Sequence, residues 1–232
     1  MTSRVEQVAV PGGTFDLKVW LPEGGTGPGV LIVQEIYGVG DYIEAVAEDL
    51  AGLGYVAAAP DLFWRIRPGW RADHDEAGLR ASVELARRFD AEQGVADAAA
   101  ALDRLAELPE VDGRVGVVGF CLGGSIAFAL AARDTAAAVV SFYGSGVPKR
   151  LGLLDDIERP LQLHFGGSDP YIPREDVARV EAAVADRPNV EIHVEEQAGH
   201  AFHNRKAPMF YDPEPAARAW SRAEDFLARH LR

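Results

Sequence analysis

The 232-residue chain has one cysteine, Cys121. That excludes an internal disulfide and any metal site built from several cysteines, leaving Cys121 as either a packing residue or a reactive thiol. No apolar run approaches the roughly 20 residues a bilayer-spanning helix needs. The opening residues, Met1-Thr-Ser-Arg-Val-Glu-Gln, lack the basic start and long apolar core of a secretory signal, so a cytoplasmic protein without a membrane partner is expected. Basic charge is in deficit: 23 Lys and Arg stand against 36 Asp and Glu, a formal net charge of −13. Nucleic acid would be repelled by that balance. No repeat, low-complexity linker or abrupt change of composition divides the chain, so residues 1–232 read as a single α/β domain, expected as a monomer or small homo-oligomer.

What is present is an alternation of short apolar runs and amphipathic stretches. Val5 to Val10 and Thr14 to Trp20 flank Pro11-Gly12-Gly13 and predict an antiparallel hairpin. Val30 to Val33, Tyr55 to Ala59, Ala136 to Phe142, Pro160 to Phe165 and Val190 to Val194 read as strands, the most continuous of them buried on both faces. Helical patterns run from Asp41, read as a cap, to about Leu53, from about Glu76 to Phe89, from Val95 to Leu108, from Arg174 to Asp186 and from Pro213 to Leu231. Arg65 to Asp75 carries Pro, Gly and Trp and predicts an irregular loop. The implied architecture is a mostly parallel central sheet with helices on both faces, behind an N-terminal antiparallel hairpin.

The chain is organised around Arg114 to Arg133. Val115 to Val118 predicts a strand, after Asp112-Gly113 read as a turn; Gly119-Phe-Cys121-Leu-Gly123-Gly124 follows, then an alanine-rich helical pattern. Small residues at 119 and 123 suit a turn so sharp that a side chain there would strike neighbouring backbone, while the apex residue projects outward. This is a nucleophile elbow with sulfur in place of the usual serine oxygen. A phosphate cradle fits poorly, because the spacing is not Gly-x-Gly-x-x-Gly and no Lys-Ser/Thr pair follows.

In a parallel sheet, reactive groups gather at the carboxyl ends of the strands. Glu35, Cys121, Asp169 and His200 all follow apolar runs, and the order nucleophile, acid, histidine is that of one hydrolase architecture. Asp169 would fix the tautomer of His200, and His200 would activate Cys121. His200, after Gly199 and a strand end, is favoured over His203 and over His164, which lies inside a strand. The backbone amides of Leu122 and Ile36 are the candidate donors to a developing oxyanion. Tyr37, Trp64 and Phe202 are candidates to line an apolar pocket. No metal or organic cofactor is required by this chemistry.

Together, Gln34-Glu35-Ile36-Tyr37-Gly38, Pro60-Asp61-Leu62-Phe63, the elbow, His164-Phe-Gly-Gly-Ser-Asp169 and Ala198-Gly-His200-Ala-Phe202 resemble the dienelactone hydrolases, or carboxymethylenebutenolidases, over nearly the whole chain. The resemblance implies an α/β-hydrolase fold and a Cys121, Asp169, His200 triad that opens an enol-lactone through a thioester. It also implies that Glu35 holds the resting thiol and helps form thiolate when substrate arrives. In the chlorocatechol-pathway members an arginine four residues after the catalytic histidine binds the substrate carboxylate; here that residue is Asn204, with Arg205 and Lys206 beyond it. A second arginine is implied at the start of the helix after the long loop, where Leu79 stands with Arg80 beside it. The expected activity is therefore hydrolysis of a small ester or lactone; a catalytically silent binding or thiol-sensing protein, and acyl transfer from the same thioester, are the competing readings.

Overall fold

The computed structural model describes residues 2–133 and 135–232. Strands β1 (Thr2–Val10) and β2 (Gly13–Leu21) form the antiparallel hairpin, turning at Pro11 and Gly12 with Val10 opposite Gly13. β3 (Gly27–Val33), β4 (Val56–Pro60), β5 (Val111–Phe120), β6 (Ala138–Phe142), β7 (Leu161–Gly166) and β8 (Val190–Glu195) complete one eight-stranded sheet in the order β1-β2-β4-β3-β5-β6-β7-β8. β2 meets β4 antiparallel, and every pair from β4 to β8 is parallel. The strand order reverses between β3 and β5, which opens a crevice at their carboxyl ends.

Helices α1 (Asp41–Gly52), α2 (Glu76–Ala86), α3 (Ala91–Ala106), α4 (Leu122–Ala131), α5 (Arg174–Val184) and α6 (Pro213–Leu231) connect or cover these strands. The α6 face of Ala216, Ala219, Ala223, Phe226, Leu227 and Leu231 is buried, as its spacing requires. The residues of β4, β6 and β7 are buried throughout, which explains the apolar or small-residue character of β4 and β6; on β7 the buried Gln162 and His164 hydrogen-bond to each other.

Three local expectations change. Asp41 does not cap α1: Gly40 occupies that position and Asp41 lies in the first turn, where its charge favours the helix N-terminus. Asp112 and Gly113 are not a turn but belong to β5, whose pairing begins at Val111 opposite Gly27. The segment after β6 contains two short 3-10 turns, Val147–Lys149 and Leu151–Asp156, too short to leave a periodic pattern.

Two imidazoles are sealed in this core. His164 on β7 lies flat against Phe142 at 4.4 Å, and His203 packs between Phe120 and Trp220 while its Nδ1 bonds to the Tyr42 hydroxyl at 2.7 Å. Burial drives the pKa of His164 well down, and burial with the nearby Arg205 charge lowers that of His203 to about 3. Unfolded, each would titrate near about 6.5. Below that pH the unfolded chain takes up protons that the folded chain refuses, so stability falls with pH by about 1.4 kcal/mol per unit for each group. Urea unfolding at pH 7 and pH 5 should therefore differ by several kcal/mol; equal free energies would mean that these rings protonate freely in the fold.

Candidate active site

The elbow is as sharp as its glycines imply. Cys121 has φ 56° and ψ −113°, and its N–H donates to Phe142 O on the neighbouring strand at 3.0 Å. A Cβ on Gly119 would stand 2.1 Å from Gly123 O, and one on Gly123 would stand 2.1 Å from Val33 O. The turn thus presses the start of α4 against the end of β3, setting the Leu122 amide at a helix N-terminus whose first donors lack intrahelical partners.

His200 stands on the loop after β8 and closes on the sulfur, with Nε2 3.1 Å from Cys121 Sγ. Its Nδ1 lies 2.7 Å from Asp169 Oδ2, and Asp169 Oδ1 accepts from the Tyr171 amide at 2.8 Å. Asp169 is therefore fixed by backbone on one oxygen and presents the other to the ring. The rings of Tyr143 and Tyr171 lie 5.3 and 5.0 Å from His200 and restrict its tilt. Burial opposes a charge on His200, but attraction to Cys121 and the bonds to Asp169 and Cys121 outweigh it and raise its pKa to about 10. The ring is thus a proton holder at neutral pH, facing the sulfur.

The β3 end is ordered with equal care. Glu35 O accepts from the Gly38 amide at 3.2 Å, and the Ile36 N–H belongs to that same planar peptide. Ile36 O accepts from Trp70 Nε1 at 3.1 Å, which locks the next peptide. The Glu35 side chain is buried. Its Oε1 is 2.7 Å from His74 Nε2, and Asn204 Nδ2 donates to both carboxyl oxygens at 3.0 and 3.1 Å. Asn204 Oδ1 accepts from the Lys206 amide at 2.9 Å, so its amide group is oriented with nitrogen toward Glu35.

Glu35, Ile36, Tyr37, Cys121 and His200 border one cavity of about 180 Å³. Leu79, Val83 and Phe210 supply apolar wall; Leu79 and Val83 are one turn apart and share a face of α2. A larger open groove of about 570 Å³, beside Arg133, Lys149 and Arg150, does not include Cys121 and has mixed charge.

Other expected contacts are not brought here. Trp64 turns outward to stack on Phe15 and donates Nε1 to Asp97, because the loop containing it packs on α3. Phe202 is fully buried against Tyr143, filling core under the loop. Arg80 is exposed and pairs with Glu76, being rotated off the face that carries Leu79 and Val83. Asn204 touches Glu35 instead of lining the cavity, and Arg205 is spent on Asp49 and Ala45 O of α1. The sulfur is bonded to His200, while the Glu35 oxygens are engaged by His74 and Asn204, so this structure has the thiol turned to the imidazole and away from the resting contact with Glu35. His74 escaped the sequence reading because it lies in an irregular loop; its only signal was a polar residue just before an Asp75-capped helix.

An eight-stranded, mostly parallel sheet, a strained turn bearing a nucleophile-type side chain and a histidine from the last loop define an α/β-hydrolase. Residues 15–231 match the dienelactone hydrolase family, and the chain belongs to that family. It is 34% identical over 229 residues to a carboxymethylenebutenolidase of Pseudomonas putida, covering 98% of this chain and 97% of that protein. It is 35% identical over 211 residues to carboxymethylenebutenolidase 1 of Cupriavidus pinatubonensis, covering 90% of each. The solved structure of a dienelactone hydrolase-like promiscuous phosphotriesterase from metagenomic libraries superposes with a TM-score of 0.83 at 26% identity, covering 100% of this chain and 99% of that one.

Proposed function

We propose that the protein hydrolyses a small ester or lactone through a thioester on Cys121. The observation that carries this reading is the continuous relay Cys121 Sγ, His200, Asp169, at 3.1 and 2.7 Å, within the small cavity. The sulfur attacks the carbonyl carbon, and the oxygen that gains charge meets the Leu122 and Ile36 amides. As the carbon–oxygen bond breaks, His200 gives its proton to the departing oxygen. In a lactone that oxygen stays tethered to the acyl group. Neutral His200 then takes a proton from water, which attacks the thioester; the carbon–sulfur bond breaks and the ion pair of sulfur and imidazolium returns. Asp169 holds the ring orientation throughout and stabilises its cationic form.

Glu35 has a supporting place in this scheme. Its carboxyl is tied by Asn204 to the same loop that carries His200, so it joins the end of β3, beside the sulfur, to the loop after β8. The family relatives are named for a carboxymethylenebutenolide substrate. The same carbonyl chemistry supports lactone opening here.

The test is acyl-enzyme trapping. Brief mixing with a panel of lactones, dienelactones and aryl esters, followed by acid quench and mass spectrometry, should place one acyl group on Cys121. Turnover without a Cys121 adduct, or with an adduct elsewhere, would sink the mechanism; an adduct without turnover would point to a ligand-binding or sensing protein. Product that appears on an added thiol or amine at the expense of the free acid would identify acyl transfer.

A further inference from the structure

Two tyrosine rings pack on His200, and they differ in their access to solvent. Tyr143 is fully buried, with its hydroxyl against that of Tyr42 at 3.2 Å, whereas Tyr171 is 60% exposed and borders the catalytic cavity. The Tyr171 ring crosses the imidazole at 76° with centroids 5.0 Å apart, and no other ring packs on it among the described residues. A near-perpendicular contact of this kind covers at most one face, so the ring keeps open π surface beside the imidazole. Its backbone is held in place, because the Tyr171 amide donates to Asp169 Oδ1 at 2.8 Å. We propose that Tyr171 is the platform for the departing group of the substrate, and that the site favours esters and lactones whose departing oxygen is phenolic, with the aromatic ring stacked on Tyr171. This rests on the hydrolytic reading of Cys121.

The relay sets where the departing group must lie. The acyl carbon bonds to Cys121 Sγ, and the departing oxygen takes its proton from His200 Nε2, which stands 3.1 Å from that sulfur. Proton transfer needs that oxygen within about 2.6–3.2 Å of the imidazole nitrogen, so the group it carries passes beside the His200 ring. Of the two tyrosines there, Tyr143 is closed off and Tyr171 is open. The other oxygen of the ester turns to the amides of Leu122 and Ile36 and leaves Tyr171 to the departing side.

The chemistry of that group follows from the border of the cavity. Neither lysine nor arginine stands there among the described residues, so a charged departing group would lose hydration without a partner. Phe210 adds a second aromatic to the same border. A phenol is flat, uncharged in its ester and able to stack in the offset manner that aromatic pairs prefer, which gains more than the burial of an alkyl group of equal area.

The experiment compares two acetates whose departing alcohols have near-equal acidity and different shape, 4-chlorophenyl acetate and hexafluoroisopropyl acetate. The wild-type protein should favour the aryl ester by kcat/KM. In Tyr171→Leu, which keeps apolar bulk and loses the ring, that preference should fall about fivefold, the size of one aromatic pairing, whereas Tyr171→Phe should keep it. Tyr171 also limits the tilt of His200, so both rates can drop in a variant; only their ratio reads the platform. An unmoved ratio in Tyr171→Leu, a lost preference in Tyr171→Phe, or a wild-type preference for the fluoroalkyl ester overturns the proposal while leaving hydrolysis intact. A second arm needs no turnover: calorimetric binding of 2-naphthol to the Cys121→Ala protein, with and without Tyr171→Leu. About fivefold weaker binding supports the platform even if no ester is hydrolysed. Equal binding, or none detectable before the substitution, overturns it. Should Tyr171→Leu fail to fold, the wild-type and Tyr171→Phe ratios decide.

Discussion

Cys121→Gly should give a protein that is more stable than its parent and unable to turn over an activated aryl ester. At φ 56° and ψ −113° the residue lies outside the basins open to side-chain-bearing residues, a strain worth about 1–3 kcal/mol. Glycine relieves it and loses roughly 0.5–1 kcal/mol of that gain to the freedom of the unfolded chain. A net gain of about 1 kcal/mol raises Tm by about 2–4 °C in a chain of this size. Cys121→Ala keeps the strain and should show no such rise. Both substitutions remove the sulfur and should lower kcat by about a thousandfold or more. Thermal scans beside an ester assay read both effects, and a glycine variant less stable than the alanine variant would show that the elbow holds no strain.

Gly123→Ala should damage stability and chemistry together. The new Cβ would meet Val33 O at 2.1 Å, Val33 C at 2.5 Å and Gln34 O at 2.6 Å. All three are backbone atoms, so no side-chain rotation relieves the overlap; the start of α4 must back away from the end of β3. Overpacking of this kind costs about 1–3 kcal/mol and at times more. The same retreat separates the Leu122 and Ile36 amides, and a displacement of about 1 Å at a reacting centre can cost about a hundredfold in rate. Gly152→Ala is the control, since nothing lies within 4 Å of its added Cβ. Denaturant unfolding and steady-state kinetics should leave that variant near the parent and Gly123→Ala far below it. A Gly123→Ala protein of parental stability would mean that the two backbones can part without cost.

Much of this architecture was legible because its local signals agree. The apolar runs at Val30 to Val33 and Ala136 to Phe142 have strand length and strand composition, the second trimmed in the structure to Ala138–Phe142, and the α6 face repeats at helical spacing up to Leu231. Cys121, Asp169 and His200 could be placed together because each follows such a run, and strand ends converge in a parallel sheet. Trp64, Phe202 and Arg80 were misjudged for one shared physical reason. Position near a strand end or on a helix fixes where a backbone arrives, whereas the direction of a side chain depends on its partners: Phe15 and Tyr143 from distant segments for Trp64 and Phe202, and Glu76 one turn earlier on α2 for Arg80. The engagement of Glu35 by His74 was illegible on the same ground, since 39 residues and an aperiodic loop separate them.

The site's parts are also separated in time. Cys121 leaves the ribosome 79 residues before His200, its hydrogen-bonding partner, and Glu35 leaves 169 residues before Asn204. Until β8 joins the edge of the sheet and its following loop comes back over the elbow, the sulfur is an ordinary cysteine on an incomplete chain. On the proposed mechanism, reactivity toward electrophiles arises only once that loop has closed, so the nascent polypeptide would carry an unactivated thiol, and the onset of thiol labelling during refolding should report the docking of β8.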